Sequence, residues 1–90
     1  MDAHPGEIVY ATAGRDKGKY FLVVAKDEEF VYLADGKARK VGTPKKKKFK
    51  HIEATGEIDD FIVNRLDTVG KFTNKEARNS LSHFLRGKDN

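Results

Sequence analysis

Arg15, Lys17 and Lys19 sit on a short run that Gly14 opens and Gly18 interrupts, and a second cationic run, Lys45-Lys46-Lys47-Lys48, follows further along the chain. Lysine neutralises phosphate as a point charge, whereas arginine can grip two oxygens at once, so Arg15 and Arg39 are the candidates for forked contacts to phosphate or base. Gly14 and Gly18 give the backbone the freedom for a tight crossing between two apolar stretches, which makes them loop-shaping residues that hold the cations out. Other chemistries fit poorly. Compared with a phosphate-binding P-loop the glycine spacing is one residue short, Tyr20 replaces the metal-binding hydroxyl, and the flanking segments read as two strands. His4, His51 and His83 are scattered without companions at metal-ligand spacing. Asp59 and Asp60 are neighbours that cannot converge on one point and suit a helix N-terminus instead. No nucleophile with a base can be assembled. An enzyme is not expected, nor a metal or cofactor.

The 90 residues carry a formal net charge of +4, with 38% hydrophobic and 36% charged residues. That supports one small core and is too apolar for disorder throughout. There is no cysteine, so neither disulfides nor a thiolate metal site stabilise the fold. The longest apolar runs are too short for a membrane span, and the first residues lack a signal-peptide pattern, so a cytoplasmic protein is expected. Charge is unevenly spread. From Lys37 to His51 there are eight Lys or Arg and no acid, whereas from Ile52 to Asn90 six basic residues face seven acidic ones. A polyanion would be met by the first half.

The elements that must position these side chains follow from periodicity. Residues 7–13 alternate as a first strand, and 19–26 are apolar at six consecutive positions, which suits a strand buried on both faces. Residues 30–34 make a third strand. Asp35-Gly36 is a hairpin signal predicting a fourth strand over 37–41, and Gly42-Thr43-Pro44 ends it. The lysine run is then an exposed loop before a fifth strand over 49–54. Five short strands with tight turns predict a mainly β fold, a five-stranded SH3-like barrel over residues 1–54. Beyond Thr55 the period approaches four. Ile58, Phe61, Ile62 and Leu66 mark one helix beginning near Glu57. Thr73 and Glu76 form a capping box for a second over 74–86, with Gly87 as a left-handed cap and 88–90 frayed. Residues 55–90 are expected as a helical appendage packed on the barrel, burying stripes that would otherwise promote aggregation.

The segment Gly6-Glu7-Ile8-Val9-Tyr10, continued by Arg15-Asp16-Lys17-Gly18-Lys19 and Phe21-Leu22-Val23-Val24, resembles the KOW motif of ribosomal proteins and transcription elongation factors. Where many KOW domains have a further glycine, this chain has Phe21, which makes it look more like the archaeal and eukaryotic large-subunit ribosomal proteins and their small bacterial relatives. Asp35 to Lys50 continues the likeness; residues 55–90 lie outside it. The resemblance implies RNA binding, in particular ribosomal RNA, with a role at the ribosome in translation.

Read from the residues alone, the loop at 15–19 and the segment at 43–50 can meet at one end of a small barrel. The expected RNA-binding residues are Arg15, Lys17, Lys19, Lys37, Arg39 and Lys40, together with Lys45, Lys46, Lys47, Lys48, Lys50 and His51. Tyr10, Tyr20, Tyr32, Phe49 and His51 are the aromatics placed to stack on bases, most of them core. The expected partners are RNA, with ribosomal proteins as further candidates, no membrane and a monomeric chain. Three other readings stay open: a solvated lysine loop, a nuclear localisation signal, and a protein-interaction module without a nucleic-acid role.

Overall fold

Residues Val9, Ala11, Phe21, Val23, Val31, Leu33 and Ile52 recur at alternate positions of their segments and meet in one buried cluster. The computed structural model, which describes residues 3–88, forms these segments into β1 (Glu7–Ala11), β2 (Tyr20–Lys26), β3 (Phe30–Ala34), β4 (Lys45–Lys48) and β5 (Ile52–Ile58). Two helices follow, α1 (Asp60–Thr68) and α2 (Asn74–Lys88). All strand pairs are antiparallel, in the order β4-β3-β2-β1-β5.

The sheet is open, because β4 and β5 are its edges and do not pair with each other. It is nevertheless strongly curled. In a flat five-stranded sheet the edge strands lie about 19 Å apart, yet only the 3-10 turn Phe49–His51 joins them, and three such residues advance about 6 Å. The inner face of the curl holds the first cluster, to which Ala3 and Phe49 add cover. Ile8 and Leu22 face outward into a second cluster with Ile62, Phe72, Ala77 and Leu81 of the helical region. The centre of β2 is thus buried on both faces, as its unbroken apolar run predicts: Phe21, Leu22 and Val23 are at most 1% exposed.

The fourth strand is not where the hairpin signal put it. Residues 37–41 form no strand, and the lysine run expected as a loop is β4 itself, pairing Phe30 with Lys48 through Leu33 with Lys45. Residues 37–40 offer no apolar alternation to an inner face. Lysine suits an edge strand, since its aliphatic stem packs while its charge stays in water and blocks further strand addition. Asp35-Gly36 instead docks against α2. Arg78 Nη1 donates to the Gly36 carbonyl at 2.7 Å, and the Val41 N–H donates to Asn74 Oδ1 at 2.8 Å. Gly36 has φ +79, and a Cβ there would collide with the carbonyl oxygen of Asn74.

The helix starts follow their capping chemistry. Asp59 accepts from the N–H groups of Phe61 and Ile62, and Ser80 Oγ donates to its other carboxylate oxygen at 2.5 Å, tying α2 to the start of α1. Thr73 and Glu76 exchange both bonds of the capping box, at 2.9 and 3.0 Å. Several boundaries differ from expectation. Strand β1 ends at Ala11 rather than at residue 13, β5 begins at Ile52 after the turn 49–51 and continues to Ile58, so α1 begins at Asp60, and Gly87 lies inside α2 rather than capping it. Lys88 is helical, while the expected fraying of Asp89 and Asn90 lies outside the described residues.

The Gly36 contact sets an expected result for urea unfolding. Gly70 also has positive φ but has open space around it, so Gly70→Ala should cost about 1–2 kcal/mol from backbone conformation alone. Gly36→Ala should cost about 1–3 kcal/mol more, because the turn must move off α2.

Candidate nucleic-acid interface

The loop between β1 and β2 is closed by its own backbone. The N–H of Gly18 donates to the Ala11 carbonyl at 2.9 Å, that of Lys17 to Gly14 at 3.2 Å, and that of Lys19 to Asp16 at 3.0 Å. Gly14 and Gly18 adopt φ +80 and +90, the left-handed values such a turn requires. Arg15, Lys17 and Lys19 stand exposed around it, while Asp16 turns inward.

Two contacts place the other cationic segments against this loop. The ammonium of Lys47 lies so near Gly14 that a Cβ on the glycine would be 3.3 Å from it. Arg39 Nη2 donates to Asp16 Oδ2 at 2.9 Å, an ion pair whose carboxylate side is 8% exposed. The curl of the sheet therefore brings the glycine loop over β4, and the ion pair pins the 35–44 segment beside it. Arg39 thereby spends one guanidinium nitrogen on holding the loop, and Arg15 is the more exposed of the two guanidinium groups. Among the described residues Arg39 is the one candidate cation that forms an ion pair; Arg65 with Glu76 is the other pair.

The lysine run does not act as one comb. Lys45 and Lys47 stand opposite Leu33 and Val31, on the side of the sheet that Gly14 overhangs. Lys46 and Lys48 stand opposite Tyr32 and Phe30, on the other side. Lys46 Nζ sits 4.1 Å from the centre of the Phe30 ring, and Lys48 and Lys50 border a hollow lined by Asp27, Glu28 and Glu29. Half of the run thus faces acidic surface, a consequence of the two-residue period of a strand. The His51 carbonyl accepts from the Thr12 N–H at 2.8 Å, so this residue braces the loop through its backbone. Lys40 is exposed at the turn that leads to β4. Lys19 and Lys37 turn toward α2 and share a groove with Arg78 and Arg86. Those two arginines went unnoticed in the sequence, although positions 78, 82, 85 and 86 fall on one helical face.

The aromatics are engaged within the protein. Tyr10 and Tyr20 lie 5.1 Å apart, Tyr20 and Phe84 5.2 Å, and Lys88 Nζ is 5.5 Å from the Tyr20 ring. Phe49 packs on the inner core. The Tyr32 hydroxyl donates to Asp27 Oδ2 at 2.8 Å. The backbone N–H groups of Phe30 and Glu29, then Tyr32, then the charge of Lys46, hold the Asp27 carboxyl below its usual range, while the same bond pushes the Tyr32 phenol up. Among the described residues no cluster of three acidic or histidine side chains could hold a metal ion, and no helix is long and apolar enough to cross a membrane.

Two measurements follow from these contacts. Arg39→Ser should lower stability by about 1–2 kcal/mol in urea unfolding, whereas the exposed Lys40→Ser should stay within about 0.5 kcal/mol. Asp27→Asn should bring the Tyr32 titration back down toward the ordinary phenol value, read by ultraviolet absorbance with Tyr32→Phe marking which step is Tyr32. The stability that Asp27 contributes is present above the ordinary carboxylate range and disappears as pH falls through its depressed value. No protein-family model matches this chain, and no curated protein matches its sequence. What it binds must be read from its charge and its geometry.

Proposed function

We propose that this protein binds structured RNA through phosphates, at the surface where the glycine loop meets the inner-side lysines of β4. The observation that carries this is the approach of the Lys47 ammonium to Gly14. It gathers Arg15, Lys17, Lys45 and Lys47 around one loop, and none of them forms an ion pair among the described residues. With Asp16, the one acid of the loop, turned inward and paired with Arg39, like charges held together in this way form an anion receptor. Most contacts would be to phosphate and would set affinity rather than sequence preference.

The meander in which the last strand returns beside the first, together with the KOW-like residues 6–24, supports a KOW domain on an SH3-like barrel. On that reading ribosomal RNA is the RNA and the ribosome, in the cytoplasm, is the place of action. A protein partner is the second reading, favoured by Ile58 at the end of β5 and Phe61 in the first turn of α1, which are 42% and 58% exposed.

Titration of a labelled ribosomal RNA fragment against salt tests the proposal. With about five phosphates neutralised, log K against log salt should slope by roughly −3.5 to −4.5. Lys45→Ser and Lys47→Ser should each reduce the slope by about 0.7–0.9, while Lys46→Ser and Lys48→Ser should change it less. Binding that is absent or independent of salt removes the RNA reading. Unchanged RNA affinity in all four variants, with retained folding, turns it toward the protein partner.

A further inference from the structure

The groove between the glycine loop and α2 combines features that the phosphate surface lacks. Its floor is apolar, formed by Leu85 and the side of Tyr20 with the edge of the buried Leu81 between them. Leu85 is 42% exposed, a large aliphatic left open on a helix whose other apolar residues are covered. Four cations border this floor: Lys19 from the loop, Lys37 from the turn after β3, and Arg78 and Arg86 from α2. Asp35 is the one carboxylate there, and its Oδ1 already accepts from the backbone N–H groups of Lys37 and Arg39. The groove encloses about 530 Å³, within the range that takes small organic ligands.

An apolar floor inside a ring of positive charge matches a ligand with a flat uncharged body and anionic ends. The two arginines are eight residues apart on α2, about 12 Å along the helix axis, with Leu81 and Leu85 between them. That leaves room for one base with cations at either end. Arg78 is anchored by its bond to the Gly36 carbonyl, and Arg86 Nη1 donates to Ser82 Oγ at 3.1 Å, so both guanidinium groups are pre-positioned. Lys19 belongs to the same loop as Arg15 and Lys17, so a strand leaving the phosphate surface across that loop enters the groove directly.

We propose that this groove receives a single unpaired RNA nucleotide, its base against Leu81 and Leu85 and its flanking phosphates on Lys19, Lys37 and Arg86. This rests on the RNA reading above and adds to it a preference for RNA that carries an extruded base. It also gives α2 a binding role alongside its packing role.

The test compares an RNA hairpin carrying one bulged nucleotide with the same stem fully paired. The wild-type protein should bind the bulged hairpin about tenfold more tightly, the scale of taking about 55 Å² of apolar surface out of water. Leu85→Ser should abolish that preference and leave affinity for the paired stem unchanged; a urea midpoint close to wild type establishes that it folds. Arg86→Gln should weaken the bulged hairpin more than the paired one. Lys47→Ser should weaken both equally. If the wild type binds both hairpins alike, or Leu85→Ser weakens both by the same factor, the groove has no such role while RNA binding at the loop stands. If neither hairpin binds, both proposals fall together.

Discussion

The turn Phe49–His51 constrains this molecule more than any other short segment, because it must carry the chain from one edge of a five-stranded sheet to the other. Three residues cannot cross a flat sheet, so the sheet curls. The curl produces an inner face small enough to be filled by Phe21, Val9, Val31 and Leu33, with Ala3 and Phe49 as cover. It also brings the loop after β1 over β4, which is why the Lys47 ammonium reaches Gly14. Core and candidate surface therefore share one cause. A longer connection at 49–51 would let the edges separate, open the inner cluster to water and draw the lysines away from the glycine loop.

Elements defined by local chemistry were legible in the sequence. The double-sided burial of β2 could be read from its apolar run, and the start of α2 from Thr73 and Glu76, because each depends on residues close in the chain. The fourth strand was not legible. Asp35-Gly36 has the composition of a hairpin, but its backbone is engaged by Arg78 and packed on Asn74, contacts from residues some forty positions away. Four consecutive lysines give no periodicity to read, and only the vacant edge of β3 makes them a strand. The site divides similarly. The gathering of cations around Gly14 could be anticipated from composition, but the division of the lysine run between two sides follows from its being a strand, and the capture of Arg39 by Asp16 from tertiary packing.

The acids are as informative as the bases. Asp16 is spent on Arg39, Asp27 on the turn before β3 and on Tyr32, and Asp59 on the cap of α1 and on Ser80. The charge of Asp16 is thereby matched by Arg39, and that of Asp27 falls on Lys46 rather than on the loop cations. Glu53 stands opposite Tyr10 and, with Glu57, borders the hollow around Tyr10, Tyr20 and Phe84 on the outer side of the sheet, not the side that Gly14 overhangs. A modest net charge of +4 thus becomes a polarised surface. The formal balance understates the field near Gly14, since a charge is screened by its neighbours and by salt over about 10 Å rather than by the molecule as a whole.

Helix α2 has two obligations that its sequence separates by face. Ala77, Leu81 and Phe84 cover the outer side of the sheet around Ile8 and Leu22, without which that side would be a water-exposed apolar surface. Arg78, Leu85 and Arg86 contribute nothing to that cover, and they line the groove facing Lys19 and Lys37. Arg78 has a structural task in holding the Gly36 carbonyl, whereas Leu85 leaves 42% of its surface in water. Its place between two cations on the helix and two more across the groove is what a bound base would require. The helical tail is in this respect continuous with the cationic surface of the sheet, joined to it through the Gly36 turn that Arg78 holds.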